Sequence, residues 1–217
     1  MGDIFREVDE ELKQERYEKL WRQYGKYIIA AAVVLVLAVA GWKAWDGYRT
    51  SQLHEDGEKF TAAAILVQTG KAEEAAAAFE QVGAEAGSGY GALARFYEAS
   101  IRAKGGDRTG AIEIYDSVAA DESLPASMRE LATVLGGLQA LNVPSIEAAA
   151  VDARIEPLTR AGGPFRHVAL EIVALNALRA NDAEKAKTSY RAIVDDAEAP
   201  PGIRGRASQM LSILGES

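Results

Sequence analysis

Residues 106–118 read GDRTGAIEIYDSV, and the pattern of this stretch recurs along the chain. A turn residue, Gly106, opens a helical segment, and Ala111 follows it. An aromatic residue comes four positions after that alanine, and an aliphatic residue three positions later. The same order is found in residues 70–82 and 181–193. The aromatic residues of the three copies are Phe79, Tyr115 and Tyr190.

The spacing of the copies predicts a repeat of paired helices. Phe79 and Tyr115 lie 36 positions apart, and Tyr190 follows after 75, about two periods. A degenerate copy is therefore expected in residues 143–155, with Ala153 where an aromatic residue would stand, which leaves the exact repeat count open. Each copy follows another stretch with helical apolar periodicity, and glycine or proline separates these stretches. The pattern is typical of an all-α solenoid of antiparallel helix pairs.

Small residues are expected to set the distance between the helices of each pair. Ala63, Ala99 and Ala174 stand twelve positions before the alanine of each copy. The aromatic residue of each copy is then expected to fill space toward the next pair. Residues 203–214 carry one apolar face and predict a helix that caps the end of the solenoid. Residues 87–91, GSGYG, are expected to form a loop between pairs.

Residues 27–45 form the longest apolar segment. From Tyr27 to Trp42 they read YIIAAAVVLVLAVAGW without a charge, and a helix over 27–45 would be about 28 Å long, close to the ~30 Å hydrocarbon core of a bilayer. Aromatic residues stand at both ends, as in membrane-spanning helices. They are Tyr24, Tyr27, Trp42, Trp45 and Tyr48.

Two other interpretations of this segment remain open. A buried core helix is also apolar, although it does not require aromatic flanks. A cleaved signal peptide is the other alternative, because residues 38–40, AVA, resemble a cleavage site. The 26 residues before the segment are long and acidic for the start of a signal peptide, which favours an uncleaved anchor.

The basic residues around the segment predict its orientation and the domain plan. Five lysines and arginines lie in the twenty residues before Tyr27, against two in the twenty residues after Trp45. The N-terminus is therefore expected in the cytoplasm. The plan is a cytoplasmic amphipathic helical segment (1–26), a transmembrane helix (27–45) and an exported repeat domain (46–217). The first segment is either a solvated helix or an interfacial or partner-binding helix.

Composition restricts the possible functions. Cysteine is absent, so neither disulfides nor thiolate metal sites are expected, and cysteine usage does not decide the compartment. The whole net charge of −8 falls after Trp45. An acidic body repels phosphate backbones, so no nucleic-acid partner is expected.

No catalytic or cofactor motif is found, and we expect no enzyme, cofactor, metal or small-molecule substrate. His54 and His167 stand in no ligand-spaced motif. The neighbouring acids in residues 73–74 and 195–196 are interpreted as solvated helix faces. Protein binding by the first helix of each pair is the remaining expectation. The candidate partner-binding residues are Arg95, Glu98, Arg102 and Arg129.

The order of these parts resembles the ancillary SecYEG translocon subunits (YfgM-like proteins), which carry a tetratricopeptide-like (TPR-like) domain. The residues that carry the resemblance are the charged lead DIFREVDEELKQERYEKLWRQYGKY, residues 3–27, the single span and the repeats around Phe79, Tyr115 and Tyr190. The resemblance implies a single-pass protein of the bacterial inner membrane, with its TPR-like domain in the periplasm. It further implies binding to the SecYEG channel and to periplasmic chaperones. A periplasmic scaffold for envelope synthesis or division is the alternative.

Overall fold

The computed structural model describes residues 3–215, with the side chains of residues 21–87 and 89–215. All regular structure in this part of the chain is helical, which confirms the all-α prediction. Up to His54 the chain forms one compact unit, and from Glu55 onward it forms a second. The elements are α1 (Asp3–Gln68), α2 (Ala72–Glu85), α3 (Ser88–Lys104), α4 (Arg108–Ala119), α5 (Ala126–Ala140), α6 (Ala148–Ile155), a 3₁₀ turn (Glu156–Thr159), α7 (Arg166–Arg179), α8 (Ala183–Val194) and α9 (Pro201–Ile213).

The apolar segment lies within α1 and is long and apolar enough to cross a membrane once. The side chains of residues 27–45 are exposed, so this stretch is not the buried core helix considered above. The backbone is helical from Asp3 onward. The predicted apolar face of residues 4–12 lies outside the side chains that the structure describes.

A left-handed residue opens each clear repeat. Gly70, Gly106 and Asn181 have φ angles of 76°, 97° and 61°, and each lies in the short turn between the helices of a pair. Glycine, and less often asparagine, adopts this conformation at low cost. The positive φ angle at this position therefore explains why the sequence pattern has glycine or asparagine there.

The degenerate copy forms a helix pair with a different turn. Residue 144, where the left-handed residue would be expected, is proline, whose ring fixes φ near −65°. The α5–α6 connection consequently runs from 141 to 147, and α6 has 8 residues. Arg179 of α7 holds this connection by donating to the carbonyl oxygens of Ala140, Val143 and Ile146 at 3.0–3.3 Å.

The predicted close approach of paired helices is confirmed. Ala63, Ala99 and Ala174 are fully buried. In the degenerate pair the same position is Gly137, where an added Cβ would lie 2.4 Å from Cδ1 of Ile155. Ile155 therefore packs directly against the backbone of Gly137. This pair lacks the aromatic residue that the other pairs have.

The predicted capping helix is also confirmed. Helix α9 buries Ala207 and Leu211 against the last repeat, in one cluster with Tyr190 and Ile193 of α8. Outside this contact α9 faces solvent, and Ile213 is 68% exposed. The helix therefore covers the apolar end of the last pair.

The expectation of a loop at residues 87–91 is wrong, because α3 begins at Ser88. Gly91 is needed for close packing instead, because an added Cβ there would lie 2.8 Å from the carbonyl oxygen of Ala86. The N-cap residue Gly87 has no side chain to cap the helix. Asp56 of α1 accepts the hydrogen bond of the Gly87 N–H instead, at 3.2 Å.

Candidate partner-binding groove

Three of the four sequence-predicted binding residues share one face of α3. Arg95, Glu98 and Arg102 are separated by three and four positions, so they follow one another along the helix. Together they form the floor of a groove of about 360 Å³. We call it the α2–α4 groove, because these two helices form its walls.

The walls of the α2–α4 groove are built mainly from small residues, with one acidic residue on each side. The α2 wall consists of Glu80, Gly83 and Ala84, and the α4 wall of Gly110, Glu113, Ile114 and Ser117. At position 83 an added Cβ would lie 3.0 Å from Cγ of Arg95, so a larger residue would displace that side chain. Gly83 thus brings α2 close to the Arg95 side chain of α3.

Arg102 connects the elements around the groove. Its guanidinium donates to Glu98 at 2.7–2.8 Å and to Glu80 of α2 at 3.3 Å. It also lies 3.7 Å from Asp107, the N-cap of α4. The hydrogen bond to Glu98 raises the pKa of Arg102 further above its ordinary value. One cation is thus shared among three carboxylates on three elements.

Glu98 is the most buried charged group of the groove, with 4% of its surface exposed. Burial raises the pKa of its carboxyl, and the hydrogen bond from Arg102 opposes that shift. A buried carboxylate is costly to maintain unless it is paired. Arg102 supplies that pairing at the floor of the groove.

Arg95 joins α3 to the connection between α4 and α5. Its Nη2 donates to Oδ2 of Asp121 at 2.7 Å. This bond, together with hydrogen bonds from Ser123, lowers the pKa of Asp121 to about 2. The charge of Arg95 is therefore neutralised within the protein, and its main role in the groove is to shape the floor.

Arg129, the fourth predicted residue, does not line the α2–α4 groove. It lies half-buried near the start of α5, where its carbonyl oxygen accepts a hydrogen bond from Thr133 at 3.0 Å. Sequence reasoning missed the wall residues Glu80 and Glu113. In the sequence, neither residue differs from the other acidic residues of exposed helix faces. Only the packing of the helices brings the two residues to one groove.

The interpretation of residues 195–196 as a solvated face is wrong for Asp196. Its carboxylate is 18% exposed and accepts hydrogen bonds from Arg166 and from Nε2 of His167, the latter at 3.0 Å. These contacts attach the α8–α9 connection to the start of α7. His54, in contrast, is exposed. The cluster around Asp196 is occupied by its own ion pairs.

A second polar depression lies at the α5–α6 connection, with a volume of about 460 Å³. Its one basic residue is Arg179, whose guanidinium is engaged by backbone carbonyl groups of that connection. This depression therefore has no cation available for a partner.

Comparison with known proteins supports the repeat assignment. A family model described as a tetratricopeptide repeat-like domain matches residues 18–140, more than half of the chain. No curated protein and no solved structure matched. Helix-pair repeats of this type typically bind other proteins and are not catalytic. The chain belongs to the tetratricopeptide repeat-like domain family.

Proposed function

We propose that this protein is a non-enzymatic, membrane-anchored interaction module that acts as an accessory of the SecYEG translocon and links export to periplasmic folding factors. The observation that carries the proposal is the combination of an exposed apolar helix with helix-pair repeats in one chain. The resemblance of the charged lead and span to YfgM-like proteins supports the choice of partner. Anchoring would raise the concentration of the repeats near the channel exit.

The proposal includes a topology. Residues 1–26 lie in the cytoplasm, residues 27–45 cross the inner membrane, and residues 46–217 lie in the periplasm. The excess of basic residues before the span supports this orientation. The four residues predicted to bind partners, Arg95, Glu98, Arg102 and Arg129, remain proposed contacts, and three of them line the α2–α4 groove.

Single cysteines test the topology, because the chain contains none of its own. A membrane-impermeant maleimide should label Ser208→Cys in cells with a permeabilised outer membrane. It should label Gln23→Cys only after the inner membrane is opened. Both positions are exposed on the described chain, so a failure to label reports the membrane barrier. The reverse pattern would overturn the orientation.

Affinity purification tests the partner. The full-length protein is isolated from membranes in mild detergent, and co-purifying proteins are identified by mass spectrometry. The control replaces residues 1–45 by an unrelated single span. We expect SecYEG subunits with the native chain and their loss in the control. Recovery of division or envelope-synthesis proteins, without channel subunits, would overturn the translocon role in favour of the scaffold.

A further inference from the structure

The floor of the α2–α4 groove differs from the same position in later repeats. Ala99, Gly137 and Ala174 are equivalent, so the residues before them, Glu98, Gly136 and Val173, are equivalent too. Gly136 and Val173 are buried like Glu98 but carry no charge. Since a buried carboxylate is costly, packing alone does not explain Glu98.

The next groove, between α4 and α6, is closed by an ion pair. Arg154 of α6 reaches across Gly136 and makes a bidentate contact with Asp116 of α4, in which the Nη2–Oδ2 distance is 2.8 Å. Its guanidinium fills the space beside Gly136, where an added Cβ would lie 3.0 Å from Nη1. Among the described residues, no basic side chain bridges Glu80 on α2 and Glu113 on α4 in this way.

The α2–α4 groove carries surplus negative charge. Its lining residues and their ion-pair partners include two guanidinium groups, those of Arg95 and Arg102. They include five carboxylates, those of Glu80, Glu98, Asp107, Glu113 and Asp121, so negative charges exceed positive charges by three.

Two of the carboxylates that contribute to this surplus lie at the rim. Glu113 is exposed on the α4 wall and has no ion-pair partner within the described part of the chain. On the opposite wall, the side chain of Glu80 is 65% exposed and shares Arg102 with the buried Glu98. Two carboxylates therefore face solvent on the two walls of a groove whose guanidinium groups are already engaged, by Glu98 and Asp121.

We propose that the α2–α4 groove binds a segment of a partner protein through a lysine or arginine side chain placed between Glu80 and Glu113. The groove, of about 360 Å³, provides room for the segment, and Ile114 offers an apolar contact for the aliphatic stem of the basic side chain. The inference rests on the proposed role in protein binding and does not depend on the identity of the channel.

Peptide binding to the full-length protein in detergent tests the proposal. The probe is a set of twelve-residue peptides on one neutral scaffold, which carry two lysines, two arginines, two glutamates or two alanines. Glu80→Gln with Glu113→Gln removes both rim charges. The matched control, Glu73→Gln with Glu122→Gln, removes two exposed acids outside the groove. Binding is measured by fluorescence anisotropy at low and at high salt.

We expect the basic peptides to bind, and the groove variant to weaken their dissociation constant about tenfold. The control should leave it unchanged, and high salt should weaken binding to the native groove. Equal binding by the groove variant and the control, or equal binding of the four peptides, would overturn the proposal. The affinity purification in which residues 1–45 are replaced tests the translocon role separately. The translocon role and the basic-segment proposal can therefore fail independently.

Crosslinking in the native membrane provides a second test. A photo-reactive residue at Ser117, in the groove wall, should crosslink a partner protein, and Glu80→Gln with Glu113→Gln should reduce the yield of that product. The same residue at Ser208, on the exposed face of α9, serves as the control. Crosslinked partners from Ser208 with none from Ser117 would overturn the assignment of the groove.

Discussion

The carboxylate of Asp56, on α1, accepts a hydrogen bond from the backbone N–H of Gly87 at the start of α3, with a distance of 3.2 Å. The two residues are 31 positions apart. A side chain from another helix thus accepts from the N–H of the N-cap residue, as the acidic residue at N3 of a capping box usually does. It also places a negative charge at the positive end of the α3 dipole.

Asp56→Ala is expected to lower the free energy of unfolding by about 1–2 kcal/mol, because it leaves the N–H of Gly87 at the start of α3 without its acceptor. Asp56→Asn keeps an acceptor oxygen and should cost less. The measurement is denaturation of the full-length protein in detergent, followed by circular dichroism. Glu58→Ala, at an exposed position on the same helix, is the control. An equal effect of the two alanine variants would contradict the capping role.

Gly137→Ala is expected to destabilise the degenerate pair by about 1–3 kcal/mol, because the new methyl group would overlap Cδ1 of Ile155. Adding Ile155→Val removes that atom and should recover part of the loss in a double-mutant cycle. Gly205→Ala on α9 has open space around its Cβ and should be neutral or stabilising by up to about 1 kcal/mol. If the effects of Gly137→Ala and Ile155→Val are additive, overlap with Cδ1 of Ile155 is not the cause of the destabilisation.

Tyr190→Phe is expected to stabilise the protein by about 1 kcal/mol, since a buried polar group without a partner costs free energy. Tyr190 is 1% exposed, and its hydroxyl has no hydrogen-bond partner among the described residues. Tyr190→Ala, which removes the ring as well, should cost about 3–5 kcal/mol. Thermal melting of both variants separates the two contributions. A clear loss of stability in Tyr190→Phe would show that the hydroxyl is satisfied.

The Arg95–Asp121 pair predicts a loss of stability in acid. The pKa of Asp121 is lowered to about 2 in the folded protein, against an ordinary value of 3.8. Below the ordinary value the unfolded chain therefore takes up a proton that the folded chain does not. Stability should fall between about pH 4 and pH 2.

Asp121→Asn should flatten the dependence of stability on pH in this range, because it removes the titrating carboxyl. Arg95→Gln should also flatten it, because it removes the guanidinium that lowers the pKa of Asp121. Asp195→Asn, at an exposed position, is the matched control and should follow the native curve. Unfolding by denaturant at a series of pH values measures the slope. A native slope in Asp121→Asn would assign the acid sensitivity to other carboxyl groups.

Leu35→Arg tests the membrane segment. Leu35 is 65% exposed in the middle of the apolar stretch, and an arginine at the centre of a spanning helix costs about 2.5–3.5 kcal/mol on insertion scales. The native protein should resist extraction of membranes with alkaline carbonate, and Leu35→Arg should appear in the soluble fraction. Ser51→Arg, beyond the span, should remain in the membrane. Extraction of the native protein would contradict the anchor.

The sequence by itself determined the local features of this protein. The left-handed turns at Gly70, Gly106 and Asn181, the helix pairs and the capping helix follow from backbone geometry and helical periodicity, which act over a few residues. The apolar length of residues 27–45 predicted a single candidate span in the same way.

Only the tertiary structure decided which distant residues meet. The start of α3 at Ser88 depends on an acceptor from Asp56, and the groove depends on Glu80 and Glu113 reaching opposite sides of α3. Arg95, Glu98 and Arg102 were predicted as residues of the first helix of a pair, but Arg95 and Arg102 have partners on other elements, Asp121 and Glu80. Such contacts depend on how helices pack, and the local sequence pattern of a helix does not specify which other helix it contacts.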